Sequence, residues 1–309
     1  MRLTAAFFRM VRLPNLVFVA LTQILFQYCI YKPLFADAHV PGDDRRFIWL
    51  LLASVFITAA GYIINDYFDI NIDEVNKPKR MVVDKVIHRR WALVWHGMLS
   101  LAGVILTIPA VSFPDKWYLV VANAGCVIVL WFYSTTFKRQ LLIGNILIAA
   151  LTSWTILVLF FSKFSPADAF GAVHVNQAKF FRFAFLYAGF AFICSVIREA
   201  VKDVEDMDGD ARYGCRTMPI VWGVNVTRVY VAIWLVILIA LLGIVQVYIL
   251  QFRWWLATAY CCLLLIQSLL LFRGLLRASS AADFGRLSNQ TKWLMLAGIL
   301  SMLLFYIYL

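Results

Sequence analysis

Charged residues are scarce in this chain of 309 residues, and acidic residues are scarcer than basic ones. Charged residues make up 15% of the sequence and hydrophobic residues 63%, and the mean hydropathy is +0.82. This composition argues against a soluble protein and indicates an integral membrane protein. The 28 basic residues outnumber the 17 acidic ones, but they lie in short loops between apolar runs. They therefore indicate a membrane surface and phosphate ligands, and no nucleic acid is expected as a partner.

Patterns that bind soft metals or form disulfides are also missing. No two of the six cysteines have the C-x-x-C spacing, and most lie within apolar runs, so packing explains them. The four histidines are scattered without the spacing of metal ligands, which argues against a zinc or haem site. These residues are Cys29, Cys126, Cys194, Cys215, Cys261, Cys262, His39, His88, His96 and His174.

Long apolar runs dominate what is present. There are about nine of them, each able to span ~30 Å of hydrocarbon, and the short linkers between them imply antiparallel neighbours. We predict an all-α integral membrane protein with about nine transmembrane helices in one bundle around a cytoplasm-facing central cavity. Residues 1–309 are expected to form a single membrane domain. The runs lie near 16–31, 47–64, 91–111, 117–136, 141–161, 181–201, 227–250, 254–272 and 291–309.

An acidic segment, Asn65 to Asp73, follows the second apolar run directly and reads NDYFDINID. On a helix, Asn65, Asp69 and Asp73 form one stripe, with Asp66 beside it. No Lys or Arg occurs within this segment to neutralise the carboxylates, which are costly near hydrocarbon. Oxygen ligands without an internal base suit Mg²⁺ shared with a phosphate. A solvated helix end or an N-cap cluster is the alternative interpretation.

A second acidic segment strengthens the metal interpretation. Near the end of a later apolar run, Arg198, Lys202, Asp206 and Asp210 again lie four residues apart, and five acidic residues fall between Asp203 and Asp210. Two acidic stripes at the same ends of two membrane helices can face each other and hold two metal ions. A diphosphate that bridges the two ions is the ligand we expect.

These two segments resemble the paired motifs of the UbiA-type intramembrane prenyltransferases. The similarity extends from Arg12 to the last helix and is specific for that superfamily. Many members have Tyr at the position of Arg198, and the run from Arg198 to Pro219 is most similar to the geranylgeranylglyceryl-phosphate geranylgeranyltransferases of ether-lipid synthesis. The matching patterns are Asn65-Asp66-x-x-Asp69-x-x-x-Asp73, Asn76-Lys77-Pro78-x-Arg80, Lys202-x-x-x-Asp206-x-x-x-Asp210 and Thr217-Met218-Pro219.

The resemblance implies a Mg²⁺-dependent transferase. It would move a geranylgeranyl-like group from an allylic diphosphate to a lipid-like acceptor, namely the hydroxyl of a prenylglyceryl phosphate. An aromatic acceptor, such as the 4-hydroxybenzoate of quinone biosynthesis, is the alternative acceptor. An ion-coupled transporter is a further alternative, because intramembrane acids often mark transport routes. Membrane lipid is an expected partner, and no protein partner is implied.

The resemblance also implies roles for individual residues. Two Mg²⁺ ions are expected, one held by Asn65 and Asp69 and the other by Asp206 and Asp210. Asp66, Asp73 and Lys202 are the catalytic candidates, and the two carboxylates complete the metal shells directly or through water. The donor and acceptor are expected to contact Arg12, Asn15, Lys77, Arg80, Tyr133, Ser134, Lys138, Arg139, Asn145, Arg198 and Arg212. For Lys138 and Arg139, which lie at a segment boundary, simple anchoring at the membrane surface is an equal alternative.

The distribution of basic residues predicts the orientation in the membrane. With the N-terminus inside, the inner segments carry 19 Lys and Arg residues and the outer loops carry 8. This excess places both acidic segments on the cytoplasmic side of the cell membrane. A signal peptide is the competing interpretation of the first run, because Ala36-Asp37-Ala38 resembles a cleavage site. We disfavour it because Arg12-x-x-Asn15 resembles the first-helix pattern of the family and would be lost on cleavage.

Overall fold

The structure is a computed structural model that describes residues 2–36, 42–76, 81–112, 115–164 and 175–308. Nine helical segments within these ranges are long and apolar enough to cross a membrane. The predicted all-α membrane architecture with about nine spans is thereby confirmed. The spans are Leu13–Leu34, Asp43–Phe68, Arg89–Ala110, Tyr118–Thr135, Ile143–Lys163, Val175–Glu205, Gly223–Leu250, Trp255–Arg277 and Ala281–Tyr308.

Two of the nine spans, Leu13–Leu34 and Ala281–Tyr308, are assembled from more than one helix. A π-helical segment, Phe26–Tyr31, lies within the first span, and a 3-10 turn, Phe137–Arg139, follows the fourth. In chain order the α-helices are α1 (Arg2–Met10), α2 (Leu13–Leu25), α3 (Lys32–Leu34), α4 (Asp43–Phe68), α5 (Ile70–Asn76), α6 (Arg89–Ala110), α7 (Tyr118–Thr135), α8 (Ile143–Lys163), α9 (Val175–Glu205), α10 (Met207–Arg212), α11 (Met218–Val221), α12 (Gly223–Leu250), α13 (Trp255–Arg277), α14 (Ala281–Leu300) and α15 (Met302–Tyr308).

The helices extend beyond the apolar runs that predicted them. The run 47–64 lies within α4, which begins at Asp43 and ends at Phe68, and the run 181–201 lies within α9. Hydropathy marks the part of a helix that lies in hydrocarbon, whereas the backbone hydrogen bonds continue into the polar interface. The extra turns carry acidic residues, so these residues lie beyond the apolar part of each helix.

One compact unit contains residues Met1–Ile24, Asp37–Lys138 and Thr155–Phe181. Within it, α4 packs along α6 and α7. Polar side chains bond between these helices: the His96 ring lies 3.0 Å from the Ala60 carbonyl, and the Asn123 amide donates to the Thr107 hydroxyl at 2.9 Å. Each of these bonds satisfies a polar group that hydrocarbon cannot solvate.

The second compact unit contains Leu25–Ala36, Arg139–Trp154 and Arg182–Leu309. Its apolar core is formed by α9, α12, α13 and α14. Polar bonds again join helices: the Ser153 hydroxyl donates to the Ala188 carbonyl at 2.7 Å, and the Tyr260 hydroxyl donates to the Ala297 carbonyl at 2.8 Å. The assignment of the whole chain to a single domain stays a prediction.

Close packing of α4 against α6 depends on Gly103. A Cβ atom added there would lie 2.6 Å from Cγ1 of Ile57 and 3.2 Å from the Ala53 carbonyl oxygen, whereas a Cβ at Gly97 of the same helix would meet nothing within 4 Å. We expect Gly103→Ala to destabilise the protein by about 1–3 kcal/mol through overpacking. Gly97→Ala is the control and should be neutral or stabilising by about 1 kcal/mol. Thermal unfolding in detergent measures both, and equal midpoints for the two variants would contradict the packing.

Candidate active site

The first acidic segment lies across a helix break rather than on one continuous helix. Helix α4 ends at Phe68, Asp69 has φ −91° and ψ 0°, and α5 begins at Ile70. The hydrogen bonds of helical spacing nevertheless continue, because the Asp69 N–H donates to the Asn65 carbonyl at 3.0 Å and the Asp73 N–H to the Asp69 carbonyl at 2.7 Å. The predicted four-residue spacing is therefore kept across the break at Asp69.

The second acidic segment has the same local backbone. Helix α9 ends at Glu205, Asp206 has φ −94° and ψ 3°, and α10 begins at Met207. The Asp206 N–H donates to the Lys202 carbonyl at 2.9 Å, and the Asp210 N–H donates to the Asp206 carbonyl at 3.2 Å. Both central aspartates thus adopt the sparsely populated region near φ −90° and ψ 0°, where many active-site residues are found.

Distant basic residues neutralise the carboxylates of the first segment. The Asn65 amide donates to the Asp69 carboxylate at 2.7 Å, and the Lys138 ammonium forms an ion pair with the same carboxylate. The side chains of Asp69 and Lys138 are only 15% and 11% exposed, which makes this pair strong. Arg12 forms an ion pair with Asp66 at 2.6 Å. The bases that the segment lacks are therefore supplied by other elements.

The conformation of Arg12 is unusual. It connects α1 to α2 with φ +53°, a left-handed value that costs a non-glycine residue about 1–3 kcal/mol. Its guanidinium also lies 5.0 Å from the centre of the Tyr62 ring. Burial alone would lower the pKa of Arg12, but Asp66, Tyr62 and Asp73 together raise the pKa above its ordinary value. The strained connection thus holds a permanent cation beside the first acidic segment.

The second segment has its own cations. The Lys202 ammonium lies 3.9 Å from the Asp206 carboxylate. The Arg198 guanidinium pairs with Glu199 at 2.6 Å, with the Arg198 side chain 28% exposed. Of the two partners that Arg198 can have, a neighbouring acid or a phosphate, the acid is the one in contact in this structure.

One residue at the second segment was not singled out from the sequence. Asp203 accepts a hydrogen bond from the Asn145 amide at 2.9 Å. Asn145 was expected to contact substrate, but its amide is used to join the start of α8 to α9. The acidic character of the cluster was visible in the sequence, whereas no signal in it connects Asp203 to a residue 58 positions away.

The other predicted residues vary in their surroundings. Ser134 is fully buried, and its hydroxyl donates to the Leu130 carbonyl of its own helix at 2.9 Å. Asn15 and Tyr133 are half-buried, and Arg212 is exposed at the end of α10. Lys77 and Arg80 lie outside the described residues.

The oxygen donors of each segment suit Mg²⁺. Asn65 and Asp69 already lie within hydrogen-bonding distance of each other, so both can reach one ion. Asp206 and Asp210 are separated by one helical turn across the second break. In the part of the chain that the structure describes, no three His, Cys, Asp or Glu side chains converge on one point. A partial set of oxygen ligands is typical of Mg²⁺, which keeps water and phosphate oxygens in its shell.

An apolar cavity of about 70 Å³ lies apart from the acidic residues. It is a partly open cavity within the second unit, bordered by α9, α12, α13, α14 and α15, and its lining includes Tyr187, Phe190 and Cys261. Tyr187 precedes Asp206 by 19 residues along α9, a distance of about 28 Å at the helical rise. A ligand confined to this cavity would not touch the acidic segment.

Comparison with known proteins gives a consistent set of relatives. The chain is 29% identical over 279 residues to a digeranylgeranylglyceryl phosphate synthase of Methanospirillum hungatei, which covers 90% of this chain and 88% of that protein. It is 34% identical over 206 residues to the synthase of Haloquadratum walsbyi, covering 66% of this chain and 63% of that protein.

Solved structures show the same fold. One, of a digeranylgeranylglyceryl phosphate synthase, matches with a TM-score of 0.64 at 23% identity over the whole of both chains. A UbiA homolog from Archaeoglobus fulgidus, solved with DMAPP and Mg²⁺, matches with a TM-score of 0.58 at 16% identity over 96% of this chain and 98% of that one. The family model described as the UbiA prenyltransferase family matches residues 24–295. A match of this length argues for a prenyltransferase and against the transporter interpretation. The chain belongs to the UbiA prenyltransferase family.

Proposed function

We propose that this protein transfers a geranylgeranyl-like group from an allylic diphosphate to the hydroxyl of a prenylglyceryl phosphate, with Mg²⁺ as cofactor. The observation that carries the proposal is the shared construction of the two acidic segments, each broken at its central aspartate with nearly equal dihedral angles. Family membership supports prenyl transfer. The names of the relatives from Methanospirillum hungatei and Haloquadratum walsbyi support a glyceryl phosphate acceptor.

The carboxylates are proposed to hold the metal. Asn65 and Asp69 would hold one Mg²⁺, and Asp206 and Asp210 a second, while Asp66 and Asp73 complete the shells directly or through water. When bound, Mg²⁺ offsets the charge of the diphosphate and so makes it a better leaving group. The A. fulgidus homolog solved with DMAPP and Mg²⁺ supports this pairing of ligand and ion.

Basic side chains next to these carboxylates are proposed to contact the donor. Lys138 touches Asp69, and Lys202 lies 3.9 Å from Asp206. A phosphate oxygen beside Asp69 could accept a hydrogen bond from Lys138, and one beside Asp206 could accept from Lys202, and either bond would stabilise the negative charge as it leaves. Arg12 provides a third cation beside Asp66. Arg198 stays a proposed phosphate ligand, since a guanidinium can bind Glu199 and a phosphate oxygen together.

The transfer itself replaces one carbon–oxygen bond with another. The bond between the allylic carbon and the diphosphate breaks, and the acceptor hydroxyl oxygen forms an ether bond to that carbon. The products are a diprenylglyceryl phosphate, diphosphate and a proton. The apolar surroundings of the membrane helices exclude water, which would otherwise capture the allylic group.

The acceptor can be tested directly with purified protein, Mg²⁺ and labelled geranylgeranyl diphosphate. We expect label to enter geranylgeranylglyceryl phosphate and not 4-hydroxybenzoate. Efficient labelling of 4-hydroxybenzoate with none of the glyceryl phosphate would instead assign the protein to the aromatic-acceptor branch.

Removing single metal ligands should abolish transfer. Asp69→Ala and Asp206→Ala are each expected to lower kcat by ~10³-fold or more, because a lost charge-stabilising ion removes several kcal/mol of transition-state stabilisation. Asp208→Ala is the matched control, since Asp208 is exposed and has no proposed role, and it should retain near wild-type turnover. Steady-state rates over a range of Mg²⁺ concentrations measure the effect. Near-normal turnover of Asp69→Ala without added metal would refute the metal assignment.

The cytoplasmic location of both acidic segments is also a proposal, supported by the excess of inner basic residues. Single cysteines at Asp208 and Asp115, which are both exposed, can be labelled in a variant that lacks the six native cysteines. We expect an impermeant reagent to label position 208 from the cytoplasmic face of sealed vesicles and position 115 from the other face. Labelling of both positions from one face would contradict the orientation.

A further inference from the structure

Five buried side-chain polar atoms in the second unit have no hydrogen-bond partner among the described residues, and two of them are on segments joined by a backbone hydrogen bond. These two are Nε of Arg139 and the hydroxyl oxygen of Thr217, whose residue is only 3% exposed. Arg139 also forms no ion pair with any acid in the described ranges. Buried polar groups are nearly always paired in native proteins, so unpaired ones on two joined segments point to a ligand.

The two residues are held next to each other by the backbone. The Arg216 N–H donates to the Arg139 carbonyl at 2.7 Å, and Thr217 is the next residue along the chain. The same segment is tied to the second acidic segment, because the Cys215 N–H donates to the Asp210 carbonyl at 3.0 Å. Arg139 and Thr217 therefore lie beside the proposed catalytic residues and are not part of them.

The loop that carries Arg139 is fixed at both of its ends. The Arg139 carbonyl is bonded to Arg216, and Asn145 is bonded to Asp203. Between them, Leu142 has φ +63°, a left-handed conformation that a non-glycine residue seldom adopts. A loop that is anchored on both sides keeps the backbone of Arg139 in one place, and a fixed backbone favours recognition of a small anion.

A guanidinium beside a hydroxyl suits a phosphate monoester. Arginine can donate two parallel hydrogen bonds to phosphate oxygens, and a threonine hydroxyl can donate a third. The cations paired with proposed metal ligands are Arg12, Lys138 and Lys202, and these suit the donor diphosphate. Arg139 touches none of those ligands.

We propose that Arg139 and Thr217 bind the phosphate group of the acceptor and thereby select phosphate-bearing acceptors. This inference rests on the proposed function, because it assumes a glyceryl phosphate acceptor. It assigns to Thr217 a role in specificity, and it gives Arg139 the acceptor phosphate rather than the donor diphosphate.

The test compares two acceptors that differ only in the phosphate, geranylgeranylglyceryl phosphate and geranylgeranylglycerol. For wild type, we expect kcat/KM to favour the phosphate-bearing acceptor. Thr217→Val should reduce that preference about fivefold to tenfold, and Arg139→Met about tenfold to a hundredfold, as expected for lost hydrogen bonds to a charged group. Arg139→Lys should recover part of the preference, and the KM for geranylgeranyl diphosphate should stay within about twofold.

A matched control and a binding measurement separate recognition from general damage. Thr258 also has a buried hydroxyl without a partner but lies in the first turns of α13, far along the chain from the acidic segment. Thr258→Val should leave the preference unchanged. Calorimetric titration of each acceptor, without donor or Mg²⁺, should show the same loss of phosphate preference in Thr217→Val and Arg139→Met.

The outcomes distinguish this inference from the proposed function. If wild type transfers no label to either acceptor, the proposed function fails, and the titration still decides whether Arg139 and Thr217 bind the phosphate. If wild type prefers the phosphate-bearing acceptor and both variants keep that preference, the inference is overturned while the proposed function stands. A raised KM for geranylgeranyl diphosphate alone would also overturn it, by assigning the two residues to the donor.

Discussion

Carboxylates at the edge of hydrocarbon must be neutralised, and this requirement governs the arrangement of both acidic segments. An unpaired charge near the membrane interior costs several kcal/mol. In the first unit, Arg12 pairs with Asp66 and Lys138 with Asp69. In the second, Lys202 lies beside Asp206, and Asn145 donates to Asp203. Each pairing places a cation or an amide beside a carboxylate of an acidic segment, so each unit offsets the charge of its own segment.

The two helix breaks keep the backbone hydrogen bonds of helical spacing. At Asp69 and at Asp206 the N–H still donates to the carbonyl four residues earlier, and the carbonyl still accepts from the N–H four residues later. The breaks therefore cost little, because neither position loses a hydrogen bond. Two different sequences, NDYFDINID and KDVEDMDGD, reach nearly the same dihedral angles at the central aspartate. That agreement favours a shared role for the two segments.

The sequence predicts well those features that depend on one helix alone. Hydropathy indicates whether a segment is more stable in hydrocarbon or in water, so it predicted the nine spans. The four-residue spacing shows which residues share one face of a helix, so it singled out Asp69, Asp206 and their neighbours as candidates. It failed for contacts between distant segments. Nothing in the spacing connects Lys138 to Asp69 or Asn145 to Asp203, which are 69 and 58 residues apart.

Because contacts between distant segments cannot be read from spacing, the surroundings of some candidate site residues were not expected. Ser134 lies in the right segment for a substrate contact, yet its hydroxyl bonds to the carbonyl one turn earlier, as hydroxyls in membrane helices commonly do. Thr217 was noticed only as part of a family pattern, because its burial and its lack of a partner are properties of the folded chain. Local pattern therefore predicts candidate metal ligands, while the surroundings of Ser134 and Thr217 depend on tertiary packing.

We propose that each of the two acidic segments holds one metal ion for the diphosphate. Bound Mn²⁺, used in place of Mg²⁺, can be counted by electron paramagnetic resonance in the presence of an unreactive geranylgeranyl thiodiphosphate. We expect two ions per wild-type chain, one in Asp69→Ala and one in Asp206→Ala. A single ion in wild type, or an unchanged number in both variants, would contradict it.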